Sequence, residues 1–431
     1  RVPHPVLIGH AASLSQVGSV PHEAIECRAG GEKLRMAHEN PWPVEAMFEA
    51  GKPEDLGKGG GTQRIKAYMS AQKERKEACD ALLAALDSAK LTVPLLVLVA
   101  QQTSGCSFTD ASIKNESIKY TSWIFRQCQE TLLGYSDFLW RRMDLKAYAA
   151  QLPGPLVLTG TLQVEPTLAL FTLRPLTRLR ADSDVPPPVD LSAVAKELLA
   201  SMSTQLRHTC AQLYATFWSL CLADIHVPAE AYDTNIRRLK KALSDLEDTE
   251  RVDPRAKDKD IRKWRDNITK ELQGLEVELK KQVDTRKKVL ARLDKDKATW
   301  QEKPLRKTHA LPNFLLQTCI LPRSILSPED AVFSAKFMHL LQAIKTPNVS
   351  TILLYNNLIC NLGPIVFSRT EHEAKHFGRF LAETLLKLNN WAKSQEAYNR
   401  DCANTPGFEN QTGTKKDDKE KKSGCASRPP P

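Results

Sequence analysis

Between Arg251 and Lys307 the chain carries 19 Lys and Arg against 11 Asp and Glu, a surplus of eight in a protein whose net charge is only +10. Inside that segment Ile268, Leu272, Leu275, Leu279, Val283, Leu290, Leu293 and Trp300 recur at intervals of three, four and seven residues. Such a period puts them on one stripe of a helix. From Asp258 to Lys303 the helix would be roughly 70 Å long at about 1.5 Å per residue. A stripe that narrow cannot enclose a core of its own, so the rod must pack against something else, and the rest of the fold has to accommodate it. Its remaining face is positive, which suits a polyanion. The plainer alternative is a solvated, ion-paired helix surface.

Few glycines (19 in 431 residues) and an abundance of Leu, Ala and Lys favour helix over sheet. Only Leu156 to Val164 has any strand character, and the expected class is all-α. No basic-then-apolar opening marks a secretory signal, although a chain that starts at Arg1 reads as a possible fragment. The longest apolar run, Leu91 to Ala100, is about half of the ~20 residues a bilayer crossing needs, so no membrane partner is expected. Ten cysteines without a C-x-x-C pair read as reduced thiols packed among helices, Cys79, Cys128, Cys210, Cys221, Cys319 and Cys360 in particular.

Composition divides the chain into seven parts. Residues 1–62 form a weakly structured segment ending in the Gly-rich linker Gly51 to Thr62, and 63–180 form a helical domain. Residues 181–190 are a Pro-rich linker, 191–250 a helical segment, 251–307 the basic rod and 308–408 a C-terminal helical domain. Residues 409–431 are a charged tail with the composition of disorder. Helices are expected over Ile65–Ala89, Ser112–Leu152, from Asp190 or Ser192 to Cys221, and Thr370–Asp401. Ser327-Pro328-Glu329-Asp330 has the order of a helix start: a capping Ser, then Pro, then acids in the first turn.

Catalytic signals are few. His372-Glu373-Ala374-Lys375-His376 matches H-E-x-x-H, but Lys375 and Arg379 flank it and no third His follows at the spacing a zinc protease needs. Gly51 to Lys58 lacks the spacing and the Ser or Thr of a phosphate loop. No enzyme activity, metal or cofactor is expected. Lys280, Lys281, Arg286, Lys287, Lys288 and Arg292 are the candidate phosphate contacts, binding weakly and without sequence preference. The seam Ile268, Leu272, Leu275, Leu279, Val283, Leu290 and Leu293 is the candidate site for a partner helix.

Four stretches resemble the THO complex subunit 2 family. They are Val93-Pro94-Leu95-Leu96-Val97-Leu98-Val99-Ala100-Gln101-Gln102; Gln212-Leu213-Tyr214-Ala215-Thr216-Phe217-Trp218-Ser219-Leu220; Phe314 to Leu341 with Pro322, Arg323 and Asp330-Ala331-Val332, running on to Thr351; and Gly378-Arg379-Phe380-Leu381 with Pro406-Gly407-Phe408. The resemblance spans residues 60–408 and weakens before residue 58 and after Phe408, where the family's basic tail shrinks to Lys415–Lys422. It implies a helical-repeat, α-solenoid-like scaffold in the nucleus, without a catalytic site. The implied partners are other THO complex subunits, a DEAD-box RNA helicase and export factors, in messenger RNA processing and export. Tyr214 to Trp218 reads as core. The competing reading is a basic coiled-coil protein, independent of THO, that binds nucleic acid or a cytoskeletal partner.

Overall fold

The computed structural model describes residues 21–43, 60–106, 118–178, 188–200, 210–252, 259–300, 310–402 and 405. The linker up to residue 59, residues 181–187, Lys303 and Lys307, Pro406 to Phe408 and the tail from Glu409 lie outside them. The described residues are helical and contain no strand. Two short helices, α1 (His22–Ala29) and α2 (Glu32–Glu39), are followed by α3 (Gly60–Ser88), α4 (Thr92–Gly105), α5 (Ile118–Arg142), α6 (Leu145–Gln151) and α7 (Pro166–Thr177). Then come α8 (Leu191–Ala200), α9 (Ala211–Ser219), α10 (Leu222–Ile225), α11 (Ala229–Val252) and α12 (Lys259–Asp296). The last third holds α13 (Ala310–Phe314), α14 (Leu321–Ser324), α15 (Pro328–Ala343), α16 (Thr351–Cys360), α17 (Leu362–Phe367), α18 (Glu371–Lys393) and α19 (Gln395–Cys402).

Several boundaries follow from single residues. Ser327 accepts the N–H of Asp330, with Pro328 in the first turn, so α15 starts where the sequence predicts. Thr370 and Glu373 form a capping box at the start of α18. The pattern over Ser112–Leu152 is two helices, because Asp144 turns extended and caps α6 through the N–H of Lys146. Ser394 similarly parts α18 from α19. The strand character of Leu156–Val164 is overridden: Val157–Thr161 is a π-helical turn in which the Leu162 N–H reaches back five residues to Val157. Cys210 and Cys319 are buried as expected, whereas Cys360 is exposed; the described cysteines are all free thiols. No single described helix is long and apolar enough to cross a membrane.

Three hydrophobic cores form among the described residues. The largest joins α8–α10 to α13–α19 and takes in Val289, Leu293 and Trp300 from the far end of α12 and just beyond it. The second is made by α11 with the near end of α12, together with Leu34, Trp42 and Ile65. The third lies among α4–α7. The basic rod is thus a spine whose inner side belongs to two cores in succession.

Residues 21–43 show no period in the sequence, because two eight-residue helices are shorter than the window in which a period can be read. Tertiary contacts order them instead. Glu278 of α12 accepts the N–H groups of Lys33 (2.8 Å) and Leu34 (3.0 Å), acting as an N-terminal cap for α2 from 245 residues away. Tyr232 accepts the Gly31 N–H, and Gln282 donates to the Ala29 carbonyl. A Cβ on Gly31 would lie 2.2 Å from the Glu278 carboxyl carbon. Gly31→Ala is therefore expected to destabilise the chain by about 1–3 kcal/mol, as overpacked sites do. Urea unfolding checks it, and an unchanged midpoint would mean that Glu278 swings away freely.

Candidate scaffold core and nucleic-acid interface

The inner stripe of α12 is taken up within the chain. Ile268 and Leu275 are buried against Tyr232, Ile236, Leu239 and Leu246, with Leu272 and Leu279 packed at the margin of the same cluster. Leu293 enters the main core, and Val283 and Leu290 stay half-buried. Two inward residues escape the sequence stripe: Val289, buried in place of Leu290, and Gln282, which also approaches the His226 carbonyl. Val289 lies seven residues after Gln282 and three heptads after Ile268, so the buried seam keeps a seven-residue register, and Leu290 sits about 100° to one side of it. The rod also ends sooner than expected, at Asp296. There Lys297 donates to the Ile344 carbonyl and a turn carries Trp300 into the core.

The six candidate phosphate contacts separate into two groups. Lys280, Lys281, Lys287 and Lys288 are exposed on the outer side. Arg286 instead donates from Nε to the Ile225 carbonyl at 2.9 Å, and Arg292 is half-buried beside Asp296. The first four are exposed, whereas Arg286 ties the rod to the end of α10 and Arg292 pairs within α12. Trp264 and Trp300, the aromatics interleaved with the charge run, are both buried.

The most demanding polar arrangement lies elsewhere. Arg323, with 0% exposure, donates from Nε to Asp330 Oδ1 (2.8 Å), from Nη1 to the Phe217 carbonyl (2.7 Å) and from Nη2 to the Leu220 carbonyl (2.8 Å). Those carbonyls belong to the last turn of α9 and the residue after it, where helical partners run out. The guanidinium also stacks 3.6 Å from the centroid of the Phe333 ring. Asp330 receives a further bond from Arg174 (2.8 Å) and one from the Ser327 hydroxyl (2.7 Å). Burial pulls the Arg323 pKa down to about 10, against the opposing pull of Asp330. Burial works to raise the Asp330 carboxyl, but Arg174 and Arg323 outweigh it and hold the group below its usual range. Phe217 itself packs edge-on against Trp218, Phe333 and Phe337. Sequence reasoning placed Tyr214 to Trp218 in the core and named Arg323 only as part of a family-like stretch, without a role. The available signal was a lone arginine in the apolar run Ile320-Leu321-Pro322-Arg323-Ser324-Ile325-Leu326.

The two histidines of the H-E-x-x-H match stand edge to face, with ring centroids 4.5 Å apart. His376 Nδ1 is 3.0 Å from the Ile325 carbonyl, and Glu373 is occupied with the Thr370 backbone and hydroxyl. No group of three metal-ligating side chains occurs among the described residues. Both histidines line a cleft of about 910 Å³ whose arginines meet acids: Arg28 pairs with Glu329, Arg35 with Asp137 and Arg174 with Asp330. Burial, then His376, pulls the His372 pKa down to about 4, and burial, then Lys387 and Lys336, pulls His339 down to about 3. The unfolded chain therefore takes up protons near pH 6.5 that the folded chain refuses. Stability is full above that pH and is lost as the pH falls from 6.5 towards 4. The urea midpoint should follow this course, with a flatter profile for His339→Leu, and a midpoint constant from pH 7 to pH 4.5 would contradict it.

Residues 206–424 match the family model Tho2, described as transcription factor/nuclear export subunit protein 2, and the match runs past Phe408. Human THO complex subunit 2 is 29% identical over 384 residues, covering 82% of this chain and 23% of that protein. The protein of the same name from Arabidopsis thaliana is 31% identical over 358 residues (75% and 19%), and that of Saccharomyces cerevisiae is 30% identical over 178 residues (41% and 10%). The chain spans less than a quarter of the length of these relatives.

Proposed function

The chain belongs to the transcription factor/nuclear export subunit protein 2 family, and from that premise we propose that it is a non-catalytic scaffold within a THO complex in the nucleus. It acts by holding surfaces for other THO subunits, and through them for the helicase and export factors that accompany messenger RNA. Weak RNA contact by the outer side of α12 is a secondary activity. The observation that carries the reading is the meeting of two family-like segments at one buried point. Phe217 and Leu220 come from one segment and Arg323, Asp330 and Phe333 from the other, and they close a single core. The carboxylates with chemical potential are committed to structure, Glu373 to a helix cap and Asp330 to two arginines. A protein built in this way works through the surfaces its core supports.

Affinity purification of the tagged chain from nuclei of its source cells tests the reading. Other THO subunits are expected to co-purify in near-constant ratio. Their complete absence, with the chain soluble and nuclear, would overturn it. The Arg323→Ala variant serves as the control for an unfolded chain.

A further inference from the structure

The outer side of α12 is organised more finely than a solvated charge run requires. At about 100° per residue, Lys281, Lys288 and Lys295 form one row and Lys280 and Lys287 a second, on either flank of a crest made by Val277, Asp284 and Ala291. All five lysines are exposed, Lys287 by 73%. Within the first row they are seven residues apart, about 10.5 Å, so that Lys281 to Lys295 spans about 21 Å. The helix behind them cannot bend away. Gln282 is bonded to the Ala29 carbonyl, Arg286 to the Ile225 carbonyl and Lys297 to the Ile344 carbonyl, and Val289 and Leu293 are buried. The described side chains of α11 and α12 include no exposed aromatic: Tyr232 and Trp264 are both buried.

These features select among RNA conformations. A single strand is held chiefly by bases stacking on aromatic rings, worth about 1–3 kcal/mol per base, and this surface offers none. A flexible strand would also have to lose conformational freedom to follow two fixed rows of charge. An A-form duplex has phosphates already fixed on both sides of a wide, shallow minor groove, where shape and backbone are read rather than bases. Two lysine rows flanking a crest match phosphates on two sides of a groove. Lysine suits this use, being a mobile point charge that needs no particular base edge. We infer that α12 binds double-helical stems in RNA, its crest along the minor groove and its two lysine rows on the opposing phosphate strands. This rests on the RNA contact assigned above to the same surface and narrows it to a class of target.

Fluorescence anisotropy with the whole chain tests the inference. The probes are an RNA hairpin with a stem of about 16 base pairs, an unstructured RNA strand with the same number of phosphates, and a DNA duplex of the stem sequence. The stem is expected to bind at least about tenfold more tightly than the single strand at low salt. Replacing Lys280, Lys281, Lys287, Lys288 and Lys295 by Gln should flatten the dependence of log K on log salt by roughly 4, at about 0.9 for each phosphate no longer neutralised. Changing Lys241, Lys263 and Lys270 to Gln should leave that slope nearly unchanged. Equal or tighter binding of the single strand would overturn the stem assignment while leaving RNA contact intact, and tighter binding of the DNA duplex would overturn the assignment to RNA. An unchanged slope in the five-lysine variant would remove α12 as the binding surface. Failure to bind any probe would remove the RNA reading altogether.

Discussion

Arg323→Ala is expected to lower the unfolding free energy by about 3–5 kcal/mol, the usual consequence of removing one partner from a buried ion pair. The size comes from what is left behind. Asp330, 2% exposed, would keep Arg174 and Ser327 but lose its best-enclosed partner. The Phe217 and Leu220 carbonyls at the end of α9 would both lose a charge-assisted donor. The Phe333 ring would face a cavity in place of a guanidinium at 3.6 Å. Arg323→Lys should recover little, since an ammonium cannot reproduce three fixed N–H directions. Because the folded pKa of Asp330 lies below its unfolded value, the stability it confers is present above about pH 4 and is lost as the pH falls through the depressed value. The wild-type advantage over Arg323→Ala should therefore shrink in strong acid. Urea or thermal unfolding measures the difference at neutral pH. A loss below about 1 kcal/mol, the range of an exposed ion pair, would mean that the node does not hold the core.

Trp300→Ala is expected to cost about 3–5 kcal/mol, in the range for truncating a large buried aromatic. Trp300 is 0% exposed, lies four residues beyond the end of α12 and packs into the main core. It fastens the far end of the spine, so its loss should also loosen Val289 and Leu293. Lys288→Ala, twelve residues earlier and on the outer side, should change stability by less than about 0.5 kcal/mol. The comparison separates the anchored end of the spine from its outer side by unfolding alone. Similar small losses in both variants would show that the spine is not anchored at this end.

The rod was legible because 38 helical residues repeat one period long enough to average out local exceptions. The capped starts of α15 and α18 were legible because caps are local chemistry: Ser327 and Thr370 act on residues three positions away. The helical class and the burial of Phe217 and Trp218 follow from the same local reading. Three things were not legible for one shared reason. The α1–α2 hairpin depends on Glu278 and Tyr232, the end of the π turn on Gln101, which donates to the Leu162 carbonyl, and the Arg323 node on carbonyls about a hundred residues earlier in the chain. Each is fixed by partners that no window of sequence contains. The charge run of α12 gave six candidates on one footing, and only packing distinguishes Lys288, which faces solvent, from Arg286, which is bonded to the Ile225 carbonyl.

Native-state hydrogen exchange separates a built-in spine from a free strut most directly. If α12 belongs to both cores, amides from Ile268 to Leu293 should exchange as slowly as those of Phe333 to Leu341 in α15, because both then open only with the larger unfolding. Exchange of the whole α12 segment within seconds, while α15 stays protected, would contradict that and make the rod a projecting helix that awaits a partner.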